Sequence, residues 1–134
     1  MYLFDTDVLS NIVKPKPSGY LLDKIKKIPK HLQFTSSINI GEIYYGAYRV
    51  LHKKRILDFY VNTVFPNIQI LFFDDTTAEI YGRTKAELSK MGIGCSEPDL
   101  RVASIALQNK LILITGNIKH FKNIPKLKIE NWIK

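Results

Sequence analysis

The chain has 134 residues, of which 46% are hydrophobic and 24% are charged, and 20 Lys and Arg against 12 Asp and Glu give a formal net charge of +8. This length predicts a single domain over residues 1–134, and the composition excludes a disordered chain. The single cysteine excludes an internal disulfide framework and is typical of a reducing compartment, so we expect a cytoplasmic protein.

Membrane insertion and export are not expected. The longest purely aliphatic run, residues 111–114, is far shorter than the ~20 residues that cross a bilayer. The N-terminus lacks the basic segment and the small-residue cleavage site of an export signal. The positive charge favours an anionic partner, most commonly nucleic acid. A solvated lysine-rich surface is the alternative that charge alone leaves open.

Short apolar runs alternate with helix-type stretches along the chain. Strands are predicted at residues 2–4, 33–36, 68–73 and 111–115, with a candidate edge strand at 127–129. These runs are continuous rather than alternating, which is typical of strands covered on both faces. The pattern predicts an α/β fold: a central, mostly parallel sheet of four to five strands, flanked by helices in three layers (α/β/α).

Three helices are predicted between these strands. Thr76 with Glu79 predicts a capping box that opens a helix running to about Met91. Residues 96–99 open another helix, with Pro98 in its first turn. An apolar stripe at helical spacing predicts a third helix earlier in the chain. The members of this stripe are Ile40, Ile43, Tyr44, Ala47, Val50 and Leu51.

Acidic and amide side chains fall near the predicted strand ends. Asp5 follows the first strand, and Asn117 follows the fourth. Glu42 is predicted in the first turn of the helix after the second strand, and Asp99 in the first turn of the helix before the fourth. In an open parallel sheet these positions share one rim, which is where ligands bind. We therefore expect these four side chains to lie together.

Glu42 and Asp99 also have a structural interpretation. Asn39 with Glu42, and Ser96 with Asp99, match the pattern in which an acid satisfies a helix terminus and its dipole. Taken singly, each of these two acids fits capping better than catalysis. Asp5 is different, because a lone carboxylate after an apolar strand needs a partner or shifts its pKa.

Three converging carboxylates repel one another unless a cation lies among them. Oxygen ligands suit Mg²⁺ or Mn²⁺, which also bind substrate phosphates. Zinc is disfavoured because Cys95 and the three histidines lack the spacing of zinc ligands. Neither a phosphate-binding loop nor the nucleophile elbow of a Ser-His-Asp triad is present. On a basic domain, such an ion predicts phosphodiester cleavage by a metal-activated water that a carboxylate orients or deprotonates.

Four segments and a tail stand in the order found in a known family. They are residues 3–10 (LFDTDVLS), 40–47 (IGEIYYGA), 96–103 (SEPDLRVA), 113–121 (LITGNIKHF) and 129–132 (IENW). They resemble the PIN-domain ribonucleases, specifically the VapC toxins of type II toxin–antitoxin pairs. Any one segment is a weak signal, but four in this order span essentially the whole chain.

The resemblance implies a metal-dependent endoribonuclease that acts on RNA. It implies an acidic triad of Asp5, Glu42 and Asp99 around Mg²⁺ or Mn²⁺, and it places Asn117 at a fourth site position that is an acid or Asn in the family. It also implies a homodimer and neutralisation by a VapB-like antitoxin, which we expect to cover the acidic rim.

Two positions depart from the family pattern. Asp7 stands where Asn is usual, and His120 stands where an acid is frequent. Because the triad is intact, we expect the metal site to survive with altered metal affinity and pH dependence. Lys119 and Lys122, just past the fourth strand, are the best candidates for RNA phosphate contacts. Two alternatives remain: a PIN-fold RNA-processing nuclease without a toxin role, and a non-catalytic nucleic-acid-binding module.

Overall fold

A five-stranded parallel sheet forms the centre of the protein, whose computed structural model describes residues 1–134. The spatial order is β3-β2-β1-β4-β5, and all four neighbouring pairs are parallel. The first strand is therefore central, with Leu3 beside Phe34 on one side and Leu113 on the other. The strands are β1 (Tyr2–Phe4), β2 (Gln33–Ser36), β3 (Gln69–Leu71), β4 (Ile112–Ile114) and β5 (Ile129–Glu130).

Helices cover both faces of the sheet, which confirms the predicted three-layer α/β/α fold. One face packs against α5, α6 and α7, and the other packs against α1, α2, α3 and the turn after α4. A π-helical turn, Tyr60–Val64, continues α4. The helices are α1 (Thr6–Ile12), α2 (Gly19–Lys26), α3 (Ser37–Tyr48), α4 (Lys53–Phe59), α5 (Asp75–Lys90), α6 (Glu97–Gln108) and α7 (Ile118–Phe121).

The core is split by the alternation of side chains along the central strands. Leu3 and Leu113 point to the α5–α6 face, whereas Phe4 and Ile114 point to the opposite face, and all four are at most 1% exposed. Successive strand residues face opposite sides of a sheet, so a continuous apolar run serves both cores. This explains why the strands lack polar alternation.

Helix starts differ from the sequence prediction in two places. The predicted capping box of Thr76 and Glu79 is wrong: Asp74 is the N-cap of α5 and forms a capping box with Thr77. In α3 the N-cap is Ser36, whose Oγ accepts a hydrogen bond from the Asn39 N–H (3.2 Å). Capping hydroxyls and carboxylates at strand ends start both helices earlier than apolar spacing suggests.

The early start of α3 changes two further predictions. Glu42 lies in the second turn of α3 rather than the first. The helix ends at Tyr48, so Val50 and Leu51, the last two members of the predicted stripe, lie outside it and are 45% and 98% exposed. Ser96 is the N-cap of α6, as predicted. None of the helices is long and apolar enough to cross a bilayer.

Candidate active site

Asp5 is held at the carboxyl end of the central strand. It is the N-cap of α1, and its Oδ1 accepts a hydrogen bond from the Thr6 N–H (2.9 Å). Asn39 Nδ2 donates to the same oxygen (2.9 Å), and Thr115 Oγ1 donates to Oδ2 (2.8 Å). Asn39 and Thr115 follow the ends of β2 and β4, the two strands that flank β1. The sheet order therefore fixes the orientation of this carboxylate.

Burial dominates the electrostatics of Asp5. The residue is 6% exposed, and the loss of solvent raises its pKa above the ordinary value despite three hydrogen bonds to its oxygens. The negative charge of Asp99 raises the pKa further. A buried carboxylate close to a second negative charge is a candidate functional group, because burial and repulsion destabilise its ionised form until a cation offsets the negative charge.

Glu42 reaches the same edge of the sheet from α3. Its Oε1 accepts a hydrogen bond from Thr6 Oγ1 (2.9 Å), and that hydroxyl also accepts one from Asn39 Nδ2 (3.0 Å). Partial burial of the carboxylate raises its pKa, and the charges of Asp5 and Asp99 add to the increase. Because Glu42 lies beyond the first turn of α3, the capping interpretation is wrong for this residue.

Asp99 faces the rim from the first turn of α6. Its Oδ2 lies 3.3 Å from Nδ1 of His120, and its side chain is 23% exposed. The helix is capped by Ser96, whose Oγ accepts a hydrogen bond from the Asp99 N–H (3.3 Å), so the Asp99 carboxylate is not the cap. The structure thus brings Asp99 into electrostatic range of both Asp5 and Glu42.

Asn117 lies at the same rim but does not contact the three acids. Its Nδ2 donates to Asp7 Oδ2 (3.2 Å), and its backbone N–H donates to Thr115 Oγ1 (3.0 Å). Burial raises the pKa of Asp7, and the charge of Asp5 raises it further. Asp7 Oδ1 is buried and has no hydrogen-bond donor. Asp7 is therefore part of the site.

The acids are neighbours, but they do not form a closed metal-ligand cluster. No three His, Cys, Asp or Glu side chains stand together in a way that could hold one ion. Glu42 is turned to the Thr6 hydroxyl, and Asp99 is turned to His120. Both side chains turn away from the other acids, because the direct approach of like-charged carboxylates is repulsive.

Oxygen atoms predominate in the donor set of this rim, although His120 Nδ1 lies beside Asp99. Carboxylate oxygens predominate, and one of them, Asp7 Oδ1, is buried without a partner. This chemistry fits a hard divalent cation such as Mg²⁺ or Mn²⁺. It fits zinc less well, because Cys95, the single cysteine, donates from Sγ to the His120 carbonyl oxygen (3.9 Å) and packs against the apolar core.

Sequence reasoning misses the groups that orient the acids. It assigns Asn39 to a helix terminus and gives Thr6 and Thr115 no role, although all three contact site carboxylates. The signal for Asn39 is its spacing of three residues from Glu42, which puts both on one side of a helix. Thr115 carries no such signal, because its partner lies 110 positions away.

Lys119 and Lys122 lie beside this rim. Lys119 is in α7, the short helix that begins directly after Asn117, and Lys122 follows the end of α7. Both are exposed and neither forms an ion pair with an acidic residue. Their positive charges are therefore available to an anionic ligand that approaches the acidic edge.

The family model described as PIN domain matches residues 2–127. The chain belongs to the PIN-domain family. Among curated proteins similar to this PIN domain, Ribonuclease VapC2 from Haemophilus influenzae is 30% identical over 132 residues, with 98% of each chain covered. The tRNA(fMet)-specific endonuclease VapC from Salmonella typhimurium is 28% identical, with 98% of this chain and 97% of that protein covered.

Solved structures agree with this assignment. VapBC2 from Rickettsia felis, bound to a DNA fragment from their promoter, matches this PIN domain with a TM-score of 0.89 at 27% identity, and 98% of each chain is covered. VapBC from Salmonella typhimurium, also bound to DNA, matches with a TM-score of 0.85 at 26% identity over 98% of this chain and 97% of that chain. The resemblance to VapC proteins is confirmed over the full PIN domain.

Proposed function

We propose that this PIN domain is a divalent-metal-dependent endoribonuclease and the toxin of a type II toxin–antitoxin pair. The observation that carries the proposal is the convergence of Asp5, Glu42 and Asp99, from β1, α3 and α6, on one edge of the sheet, where Asp99 raises the pKa of the other two. The ribonuclease names of similar proteins support the reaction class.

Asp5, Glu42 and Asp99 would together hold Mg²⁺ or Mn²⁺ once the side chains of Glu42 and Asp99 turn from Thr6 and His120 towards Asp5. The raised pKa values of Asp5 and Glu42 support this assignment, because a cation among the carboxylates offsets the cost of keeping them ionised. When bound, the ion would lower the pKa of a water molecule and neutralise negative charge on the scissile phosphate.

The residues of the site would have separate roles. Asp5 is immobilised by hydrogen bonds from Thr6, Asn39 and Thr115, which suits a rigid ligand. Glu42 is the most accessible acid of the triad, and its raised pKa suits a group that orients the attacking water or accepts its proton. Asn117 would be a neutral polar group beside the phosphate.

The decisive experiment incubates the purified protein with structured RNA and Mg²⁺ or Mn²⁺, with and without excess EDTA. Metal binding is measured in parallel by titration calorimetry. We expect cleavage only when the metal is present, and recovery when Mn²⁺ is added back after chelation. Cleavage that persists in excess EDTA would contradict the metal mechanism. Metal binding with RNA binding but no cleavage would favour the non-catalytic module.

Lys119 and Lys122 are expected to contact RNA phosphates. Changing both to Ala in a cleavage-deficient protein should lower the RNA affinity and reduce the slope of log affinity against log salt by about one unit per lysine. Filter-binding titrations at several salt concentrations measure this slope. Changing Lys26 and Lys27, which precede β2 at the opposite edge of the sheet, is the matched control. If changing either pair of lysines reduced the salt slope equally, a docking surface localised at Lys119 and Lys122 would be refuted.

The proposed partners are a VapB-like antitoxin and a second copy of the chain. The similar VapBC structures support the first. We expect the antitoxin to cover the acidic rim, either with Arg or Lys on the carboxylates or with an apolar helix. Loss of RNA cleavage on adding the antitoxin would support the toxin role, whereas unchanged cleavage would favour an RNA-processing nuclease.

A further inference from the structure

Asp7 ties the first helix to the loop after β4. It lies in the first turn of α1, and its Oδ2 accepts hydrogen bonds from the Gly116 backbone N–H (2.8 Å) and from Asn117 Nδ2 (3.2 Å). A Cβ at Gly116 would lie 2.8 Å from Asp7 Oδ2 and 3.1 Å from Ile133 Cδ1. A residue without a side chain therefore lets the loop approach so closely, and the carboxylate fixes its position.

The contact between residues 7 and 117 has a fixed direction. An ionised carboxylate only accepts hydrogen bonds, so the amide of Asn117 must be the donor. An acid at position 117 would instead bring two negative charges to about the same separation, 3.2 Å. Like charges at this distance repel strongly where solvent is partly excluded. The acid at position 7 thus requires a donor at position 117.

Asp7 also adds negative charge to the rim. Oδ2 accepts both hydrogen bonds from the loop, whereas Oδ1 is buried without any donor, so hydrogen bonds stabilise only one of the two oxygens of this carboxylate. Asp5 and Glu42 both lie within electrostatic range of this carboxylate. Asn117, which is neutral, makes no such contribution.

We propose that Asp7 is a positioning residue that supplies the fourth negative charge of the rim and holds Asn117 in place. Residues 7 and 117 form an acid–amide pair whose members cannot be changed independently. The charge contribution rests on the proposed function, because it presumes that the rim binds a divalent cation. The pairing itself rests only on the hydrogen bonds and the close approach at Gly116.

A double-mutant cycle tests the pair. Four proteins are compared: wild type, Asp7→Asn, Asn117→Asp and the double exchange. Thermal unfolding is measured in EDTA, and Mn²⁺ affinity is measured by titration calorimetry without RNA. In the double exchange an amide nitrogen that takes the place of Oδ2 at residue 7 can donate to the new carboxylate at position 117, but the Gly116 N–H then loses the acceptor that Oδ2 provides.

The expected effects are not additive. Asn117→Asp should lower the Tm by about 4 °C, and the double exchange should recover part of this loss, because the contact between residues 7 and 117 returns while the Gly116 N–H loses its acceptor. Asp7→Asn should weaken Mn²⁺ binding about tenfold, and the double exchange should restore it because the number of carboxylates returns to the original value. Asp75→Asn, an exposed acid in the first turn of α5, is the matched control and should leave Mn²⁺ affinity unchanged.

Additive Tm shifts would overturn the pairing, and an unchanged Mn²⁺ affinity of Asp7→Asn would overturn the charge contribution. If wild-type protein bound no Mn²⁺, the proposed function would fail. The thermal cycle contains no metal and would still decide whether residues 7 and 117 act as a pair.

Discussion

Replacing Asp5 with Asn is expected to reduce RNA cleavage about a thousandfold, because the loss of a metal-holding carboxylate removes several kcal/mol of transition-state stabilisation. Asn keeps the size of the side chain and one oxygen, so the hydrogen bonds from Thr6 and Thr115 can be partly retained. The measurement is the single-turnover cleavage rate at saturating RNA and Mn²⁺. Asp75→Asn serves as the control and should cleave at the wild-type rate.

The same substitution separates loss of function from loss of fold. Burial raises the pKa of Asp5, so the folded protein binds the proton of this carboxyl group more tightly than the unfolded chain does. The stabilisation that this proton binding gives to the folded state is fully present below the ordinary pKa of Asp, and it is lost as the pH rises through the raised pKa of Asp5. At neutral pH without metal, Asp5→Asn should therefore be at least as stable as wild type, and the difference should narrow as the pH falls. A Tm well below wild type at neutral pH would contradict this account.

Replacing Asn39 with Asp should cause the largest loss of stability. Asn39 is fully buried, and its Nδ2 donates to Asp5 Oδ1 (2.9 Å) and to Thr6 Oγ1 (3.0 Å). The new carboxylate would remove both donors and face the Asp5 charge without a cation. We expect a loss of about 3–5 kcal/mol in the free energy of unfolding at neutral pH, measured by urea denaturation with EDTA present.

The pH dependence distinguishes this repulsion from simple misfit. Lowering the pH protonates one of the two facing carboxylates, so the variant should regain part of its stability in acid relative to wild type. Asn62→Asp, in the exposed π-helical turn after α4, makes the same chemical change where solvent screens it, and its stability should be close to wild type. If Asn39→Asp proved as stable as Asn62→Asp, Asn39 would not be the partner of Asp5.

Strand positions and the general placement of the acids follow from local patterns. Residues 2–4 and 33–36 are recognisable as strands because apolar or β-type residues run through them, and α6 is recognisable from Ser96 and Pro98. Asp5 and Asp99 are predicted at the rim because a parallel sheet collects its strand ends on one edge. These inferences use only neighbours in sequence and the handedness of strand–helix–strand units.

The hydrogen bonds that orient the acids cannot be predicted in this way. Asn39 meets Asp5 across 34 positions and Thr115 meets it across 110, because β2 and β4 both lie beside β1. That strand order is a property of the folded sheet and leaves no local trace. The sequence prediction also places Glu42 in the wrong turn of α3, because apolar periodicity does not reveal a capping hydroxyl such as that of Ser36.

The central position of β1 also has a consequence during synthesis on the ribosome. The strand β1 can pair with β2 before its other neighbour, β4 (Ile112–Ile114), has been translated. Asp99 and Thr115 belong to this late part of the chain. On the proposed function, a nascent polypeptide would therefore cut no RNA until β4 has been translated and has paired with β1.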